Sequence, residues 1–337
     1  MSRRLRGLIV AAGNTYVALL LFFLLLRSTP LREHWCLRLV ADFLPLLFAP
    51  LVVLVPATLL CARSKLVRCF VCLPCLVFAL LYGPLFLPHP SVASSSSQWG
   101  LSVMSYNVNR GAPGLDNILE IIESEAADVV ALQEVTPQVA QALSGLSELY
   151  PYMGLHPTLD GYAGCGVLSR FPILDDETFP LVEGTHLHQR VLLDIDGQSV
   201  HLLNVHLQPP HLQALRMGSR LIVPAGYDTS IQDGELERLL AELDLLEGGV
   251  LVVGDLNMTD QSPGYGELTR RLVDSHREAG WGFGHTFPDL EIRSAPIPFT
   301  VVRIDYIFHS QDMAAYRSYV GDRGGPDHRF LVADLSF

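Results

Sequence analysis

Six short stretches carry polar residues of the types that act on phosphate esters, and each ends or interrupts an apolar run. They are Ser105-Tyr106-Asn107-Val108-Asn109, Leu132-Gln133-Glu134, Asn204-Val205-His206-Leu207, Gly254-Asp255-Leu256-Asn257, Arg303-Ile304-Asp305-Tyr306-Ile307-Phe308 and Asp327-His328. Taken singly, each has an ordinary explanation, because Asn and Asp cap helices and stabilise turns. Together they say more. Asp255 and Asn257 are two apart on extended chain and so share a face. Asp305 is embedded in apolar sequence, where an unpaired carboxylate is costly, so it needs an imidazole or an Arg beside it. Glu134 and Asn107 offer hard oxygen ligands of the kind Mg²⁺ accepts while keeping several waters. A His oriented by a buried Asp serves as general base or, as imidazolium, stabilises developing phosphoryl charge. Amide and Arg donors hold the non-bridging oxygens. The set fits metal-assisted cleavage of a phosphate ester.

Strands must bring these residues together. Leu101 to Tyr106 reads as a strand, Leu115 to Ser124 as an amphipathic helix, Ala127 to Leu132 as a buried strand, and Pro137 to Leu149 as a helix opened by Pro. Gly164 to Ser169 is a strand, and Gln189 to Ile195 and Ser199 to His206 flank the hairpin signal Asp196-Gly197. Ile231 to Glu247 is a helix, and Val250 to Gly254, Arg303 to Phe308 and Phe330 to Leu335 are strands. Hairpins mixed with strand–helix units predict an α/β domain with mixed sheets. The polar residues then fall at strand ends, where ligand and catalytic groups of sheet proteins gather.

In this order the six motifs resemble the endonuclease/exonuclease/phosphatase superfamily, which includes DNase I-like nucleases, neutral sphingomyelinases and inositol polyphosphate 5-phosphatases. The resemblance covers Leu101 to Phe337. It implies a DNase I-like four-layer sandwich of two mixed β-sheets flanked by helices, and a phosphoric ester hydrolase using Mg²⁺, with Mn²⁺ as the alternative. It places Glu134 at the metal as main ligand, with Asn107 beside it and Asp327 near a second metal position. Asp255 would position or deprotonate the attacking water, and Asn257 would bind phosphoryl oxygens. His328 would be the catalytic histidine, oriented by Asp305, and His206 matches an additional histidine of the nuclease and sphingomyelinase branches. Asn204 is grouped with the substrate-binding residues. Arg190 is a candidate phosphate contact, with a plain surface Arg the even alternative. Which group is the base stays open. Two positions depart from the pattern: Pro326 replaces the usual Ser before Asp-His, and Tyr162 only loosely matches a Tyr that approaches the phosphate. His285-Thr286-Phe287-Pro288 resembles a family loop that supports the Asp305 strand.

The chain has 337 residues and is 49% hydrophobic and only 17% charged, against about 25% charged in ordinary soluble domains. Its net charge of −12 is unevenly spread: before Leu101 nine Lys/Arg face two Asp/Glu (+7), and from Leu101 onward fourteen Arg and no Lys face thirty-three acids (−19). Three apolar runs, about 8–26, 40–62 and 69–87, fill residues 1–88 and match the ~20 residues that cross a bilayer as helix. Cys69, Cys72 and Cys75 lie within an apolar run without His or acidic neighbours, so they read as residues packed between spans rather than as a zinc site. Residues 89–100, with Ser94 to Ser97, read as a polar linker, and 101–337 as the phosphoesterase domain. Arg3, Arg4 and Arg6, with Arg63, Lys65 and Arg68, outweigh Arg27, Arg32 and Arg38. This charge bias places the N-terminus inside and the domain on the outer face of a cell membrane.

Nucleic acid is an unfavourable partner for a domain of net −19, because polyanion binding needs clustered Lys/Arg. A tethered site on the outer face points to the bilayer and a lipid-linked phosphate ester or pyrophosphate at the cell envelope. Three spans before such a domain resemble the membrane-bound VanJ-like branch of the superfamily. Two other readings stand beside it. One is an extracytoplasmic nuclease or phosphodiesterase, expected to nick plasmid in a salt-sensitive way. The other is a non-catalytic binding module, disfavoured because Glu134, Asp255, Asn257, Asp305 and His328 are all present.

Overall fold

The computed structural model describes residues 2–87, 100–217, 221–288, 290–292, 295–322 and 327–337. The expected linker and Pro326 lie outside them. The chain forms two units, Met1–Leu87 with Leu212–Tyr227, and Pro88–His211 with Asp228–Phe337. The sequence reading assigned Leu212–Tyr227 to the phosphoesterase domain; it groups instead with the apolar helices.

In the first unit the helices are α1 (Arg3–Arg27), α2 (Trp35–Asp42), α3 (Leu44–Leu47), α4 (Leu51–Cys61) and α5 (Lys65–Tyr82). Three stretches, Arg3–Arg27, Leu44–Cys61 and Lys65–Phe86, are long and apolar enough to cross a membrane. The middle one breaks between α3 and α4 at Pro50, which cannot donate a backbone hydrogen bond. A Cβ on Gly13 would lie 2.1 Å from Thr58 Oγ1, so glycine is what lets α1 and α4 approach so closely. Cys69, Cys72 and Cys75 are exposed on α5 rather than packed between helices.

The second unit is built on two six-stranded sheets. The first contains β1 (Gly100–Asn107), β2 (Val129–Gln133), β3 (Tyr152–His156), β4 (Cys165–Ser169), β15 (Ala314–Val320) and β16 (Leu331–Ser336), in the order β15-β16-β1-β2-β4-β3. The second contains β5 (Ile173–Pro180), β6 (Leu187–Ile195), β7 (Gln198–His206), β10 (Gly249–Asp255), β11 (Val273–Asp274) and β14 (Asp305–His309), in the order β11-β14-β10-β7-β6-β5. A ribbon of β12 (Leu290–Ile292) with β13 (Ala295–Phe299) completes the strands of this unit, while the ribbon of β8 (His211–Met217) with β9 (Leu221–Asp228) lies almost wholly in the first. Helices α6 (Leu115–Glu125) and α7 (Pro137–Leu143) cover the outer face of the first sheet through Ile118, Ile122, Val139 and Leu143. Helices α8 (Ser230–Leu243) and α9 (Pro263–Leu268) cover the second through Leu236, Leu239 and Leu268, and α10 (Ser275–Ala279) runs beside β15. This is the four-layer sandwich the motifs implied. The helix expected over Pro137 to Leu149 stops at Leu143 and continues as a single 3₁₀ turn, Ser144–Leu146. Asp196 and Gly197 take φ of 52° and 90°, the left-handed pair that a tight two-residue hairpin needs.

Alternation explains why the polar residues meet. Val103 (β1), Val129 and Ala131 (β2), Leu202 (β7), Val253 (β10) and Ile307 (β14) form the core between the sheets. Residues an even number away on the same strand point into the same space. Asn107, Gln133, Asn204, His206, Asp255 and Asp305 therefore enter the inter-sheet layer at the end where its apolar residues stop.

Gly254 has φ of 139°, and a Cβ there would stand 1.9 Å from the Val205 carbonyl oxygen on the neighbouring strand. Gly254→Ala is expected to destabilise the chain by about 2–3 kcal/mol. A fall in the melting temperature of the detergent-purified protein would show this, and an unchanged value would refute it.

Candidate active site

Register sets three residues in a row. Asp255 pairs with His206 across the parallel β10–β7 ladder and with Asp305 across the antiparallel β10–β14 ladder. The parallel β1–β2 pair sets Asn107 opposite Gln133, and Glu134 follows with φ of 60°. His328 lies just before β16, and its Nδ1 stands 3.0 Å from Asp305 Oδ2 and 3.2 Å from Oδ1. Its Nε2 is 3.6 Å from Asp255 Oδ2, and His206 Nε2 reaches the same oxygen at 3.7 Å. Asp255, Asp305 and His328 are also the one set among the described residues whose His and acidic ligand atoms converge closely enough to hold an ion.

Burial governs the electrostatics. Removal from water would drive His328 toward its neutral form, but the Asp305 and Asp255 carboxylates outweigh it and raise its pKa above the ordinary imidazole range. Burial, with the Asp305 charge, pushes the Asp255 carboxyl upward, so it holds a proton more readily than a surface carboxylate. Burial also raises Glu134. His206 moves the other way, well below its usual value, because it is desolvated and surrounded by His186, His328 and His188.

The loop expected to support the site does so. Thr286 Oγ1 accepts the Ile304 and Asp305 N–H groups at 3.3 Å each, the Thr286 carbonyl accepts Arg329 N–H at 3.0 Å, and the Phe287 ring lies 4.8 Å from the His328 ring. Thr286 thus ties together the segments that carry Asp305 and His328.

Asn107 reaches the cluster through its side-chain amide. Its oxygen accepts the Asn109 N–H at 3.0 Å, while Nδ2 faces Glu134 Oε1 at 3.3 Å and Asp255 Oδ2 at 3.1 Å. In this arrangement it spaces and orients the two carboxylates. Glu134 Oε2 and Asp327 Oδ1 are buried and accept no hydrogen bond from the described residues, with Arg110 Nε 3.7 Å from the former. Buried carboxylate oxygens left in this way fit a divalent cation. Asn257 caps the cluster: its N–H bonds Asp255 Oδ1 at 2.9 Å and its Nδ2 the Leu207 carbonyl at 2.9 Å.

Two predicted residues are not brought to this cluster's reacting groups. Asn204 is consumed within the inter-sheet layer. Its Oδ1 accepts from Gln133 Nε2 at 2.8 Å, and its Nδ2 donates to the Leu132 and Gly166 carbonyls at 3.0 and 3.2 Å. With Gln133 and Gln189 it ties the sheets together beneath the site. Arg190 lies opposite Leu203, on the outer face under α8, where it pairs with Glu177 and with Glu242 at 3.2 Å. It is three register positions, about 10 Å, short of His206.

Several neighbours gave no sequence signal. His206 Nδ1 is 3.2 Å from the Tyr162 carbonyl, a bond only a protonated Nδ1 makes, and the His186 ring stacks on His206 at 4.2 Å. His188 Nδ1 accepts the His206 N–H at 3.2 Å, while its Nε2 faces Glu235, whose other oxygen accepts Gln208 N–H at 2.7 Å. Beneath the Asp305 and Asn257 loops, Arg303 makes a buried two-pronged pair with Asp274 at 3.0 and 2.6 Å, and Arg277 pairs with Asp260. Arg303 opens the motif that holds Asp305, whereas Asp274 and Glu235 look like any other charged residues until the fold buries them.

The profile of the Endonuclease/Exonuclease/phosphatase family matches residues 104–334. The chain belongs to this family. Its members are typically hydrolases of phosphate esters that use divalent metal ions. Among solved structures, the chain is similar to an endonuclease/exonuclease/phosphatase from Bacteroides vulgatus, at 19% identity over 71% of this chain and 99% of that one, with a TM-score of 0.56. It is also similar to D. rerio TDP2 complexed with single strand DNA product, at 17% identity, 71% and 99% coverage and a TM-score of 0.55. A third is an endonuclease/exonuclease/phosphatase from Beutenbergia cavernae, at 20% identity, 71% and 72% coverage and a TM-score of 0.52. At these identities the likeness is one of fold. No curated protein matches the chain.

Proposed function

We propose that this chain is a membrane-anchored, Mg²⁺-dependent phosphoesterase that hydrolyses a lipid-linked phosphate ester or pyrophosphate at the outer face of a cell membrane. The observation that carries the reading is the buried row His206, Asp255, Asp305, closed by His328 and flanked by unbonded oxygens of Glu134 and Asp327. Glu134 and Asp327 would hold the cation. When bound, it neutralises phosphoryl charge as a Lewis acid.

The chain's own groups do the rest. Asp255, held through Oδ1 by the Asn257 N–H, takes the proton of the attacking water at Oδ2. His328, kept as imidazolium by Asp305, offers Nε2–H to the charge developing on the phosphoryl oxygens. His206, with its proton on Nδ1 toward Tyr162, serves the leaving-group side. The net charge of −19 after Leu101, and the three apolar stretches before it, favour a lipid over a nucleic acid as substrate.

The test is Mg²⁺-dependent phosphate release from a long-chain polyprenyl pyrophosphate by the detergent-purified full chain. Glu134→Gln is expected to raise the Mg²⁺ concentration for half-maximal rate by at least about tenfold, since it removes one formal charge from the cation site. Hydrolysis of a generic phosphodiester without release from the pyrophosphate would overturn the substrate assignment. An unshifted Mg²⁺ requirement in the variant would overturn Glu134 as the ligand.

A further inference from the structure

The ribbon β8–β9 is unlike the domain into which it is spliced. From Gly197 to Tyr227 the chain has no Asp or Glu, although the region after Leu101 carries thirty-three. The ribbon's described side chains combine Arg216 with Leu212, Leu215 and Val223. Leu212 and Leu215, three apart on extended chain, point to opposite faces of the strand. They are 48% and 61% exposed, and every residue from His211 to Arg216 is exposed. A two-stranded ribbon apolar on both faces is marginal in water.

Its base shows where it belongs. The Tyr227 hydroxyl donates to Asp42 Oδ2 at 2.6 Å. Asp42 ends α2, directly before the apolar stretch Leu44–Cys61. If that stretch and Lys65–Phe86 each cross the bilayer once, Phe86 returns to the side of Asp42, and the chain leaves for the phosphoesterase domain from that same side. The unpaired edges of an open ribbon exclude it from the hydrocarbon core. Leucines with Arg216 and no acids suit the headgroup layer, where a guanidinium group meets lipid phosphates.

We infer that the β8–β9 ribbon is a membrane-interface anchor, lying among the lipid headgroups and holding the chain segment after β7 at the bilayer surface. Four residues separate His206 from His211, a reach of at most about 18 Å over the five Cα steps. The ribbon therefore keeps a catalytic-site histidine within reach of a lipid phosphate in that leaflet. The inference rests on the membrane reading of the three helices.

The test uses the full chain in phosphatidylcholine–phosphatidylglycerol vesicles, with and without brominated acyl chains. The fluorescence added by Leu215→Trp over the unsubstituted protein is expected to be quenched by the brominated lipid. Hydrolysis of a vesicle-embedded lipid phosphate by Leu212→Glu/Leu215→Glu is expected to fall about tenfold, with a water-soluble phosphodiester turned over as before. Added fluorescence indifferent to bromine would overturn the inference, whether the residue then proved solvated or covered by a second copy of the chain. Alkaline carbonate extraction is scored in parallel: a chain released from the membrane defeats the spanning reading itself, whereas a retained chain with unquenched fluorescence defeats only the ribbon's role.

Discussion

Replacing His328 by Ala is expected to lower kcat about 10³-fold, within the range a positioned acid–base group supplies. The reason is electrostatic as well as chemical. His328 is the positive group between the buried Asp305 and Asp255 carboxylates, 3.0 Å from one and 3.6 Å from the other. Its loss leaves two like charges facing each other with little solvent, and removes the imidazolium donor for the phosphoryl oxygens. His328→Gln separates the effects. Its amide still donates toward Asp305, so the melting temperature should stay nearer that of the parent than in His328→Ala, while kcat stays low. Steady-state kinetics and thermal unfolding of the three proteins check this. A His328→Gln enzyme as active as the parent would show that the imidazolium is not needed for the chemistry.

Arg303→Ala is expected to cost about 3–5 kcal/mol of stability, because it strands a buried carboxylate without its counter-charge. Asp274 and Arg303 are both buried; Tyr265 donates to the same carboxylate at 2.8 Å, and the Arg303 guanidinium lies 4.6 Å over the Tyr306 ring. The effect depends on pH in a definite direction. Burial alone would raise Asp274, but Arg303 outweighs it and holds the carboxyl at about 2, below its ordinary 3.8. A group depressed by folding stabilises at pH values above its unfolded pKa, and that contribution, about 2 kcal/mol, is lost as pH falls from near 4 to near 2. Denaturant unfolding across this interval should show the loss in the parent. In Arg303→Ala, where burial acts unopposed, the carboxyl takes up its proton at higher pH. A paired change, Arg303→Met with Asp274→Asn, is expected to recover much of the lost stability, since the amide keeps an oxygen to accept the His276 and Arg277 N–H groups and carries no desolvated charge. If Arg303→Ala unfolded at the parent's denaturant concentration, the pair would be structurally idle.

The site was legible where chemistry and strand pattern coincide. Asp255, Asp305, His328, Glu134 and His206 could be chosen because an Asp, Glu or His at the end of an apolar strand is out of place unless something uses it. That same signal misplaced Asn204, which also ends a strand. Its amide donates to the Leu132 and Gly166 carbonyls within the sandwich, and sequence does not show which distant carbonyls a fold brings beside an amide. Arg190 illustrates the opposite limit: Glu177 is its neighbour only through the β5–β6 register, and Glu242 only because α8 lies over that face.

By itself the sequence determined the α/β class with mixed sheets, the placing of polar residues at strand ends, the split between a basic apolar front and an acidic domain, and the motifs that carry the family resemblance. These are local or compositional properties, readable from period, residue type and charge. Only the tertiary structure decided which way the Asn107 amide faces, that Thr286 clamps the strands of Asp305 and His328, that Glu235 and Arg303 are buried, and that Leu212–Tyr227 groups with the helices. Each depends on which distant segments share a desolvated space. Desolvation turns an ordinary surface charge into one that must be paired, and burial is set by the whole fold rather than by neighbours along the chain.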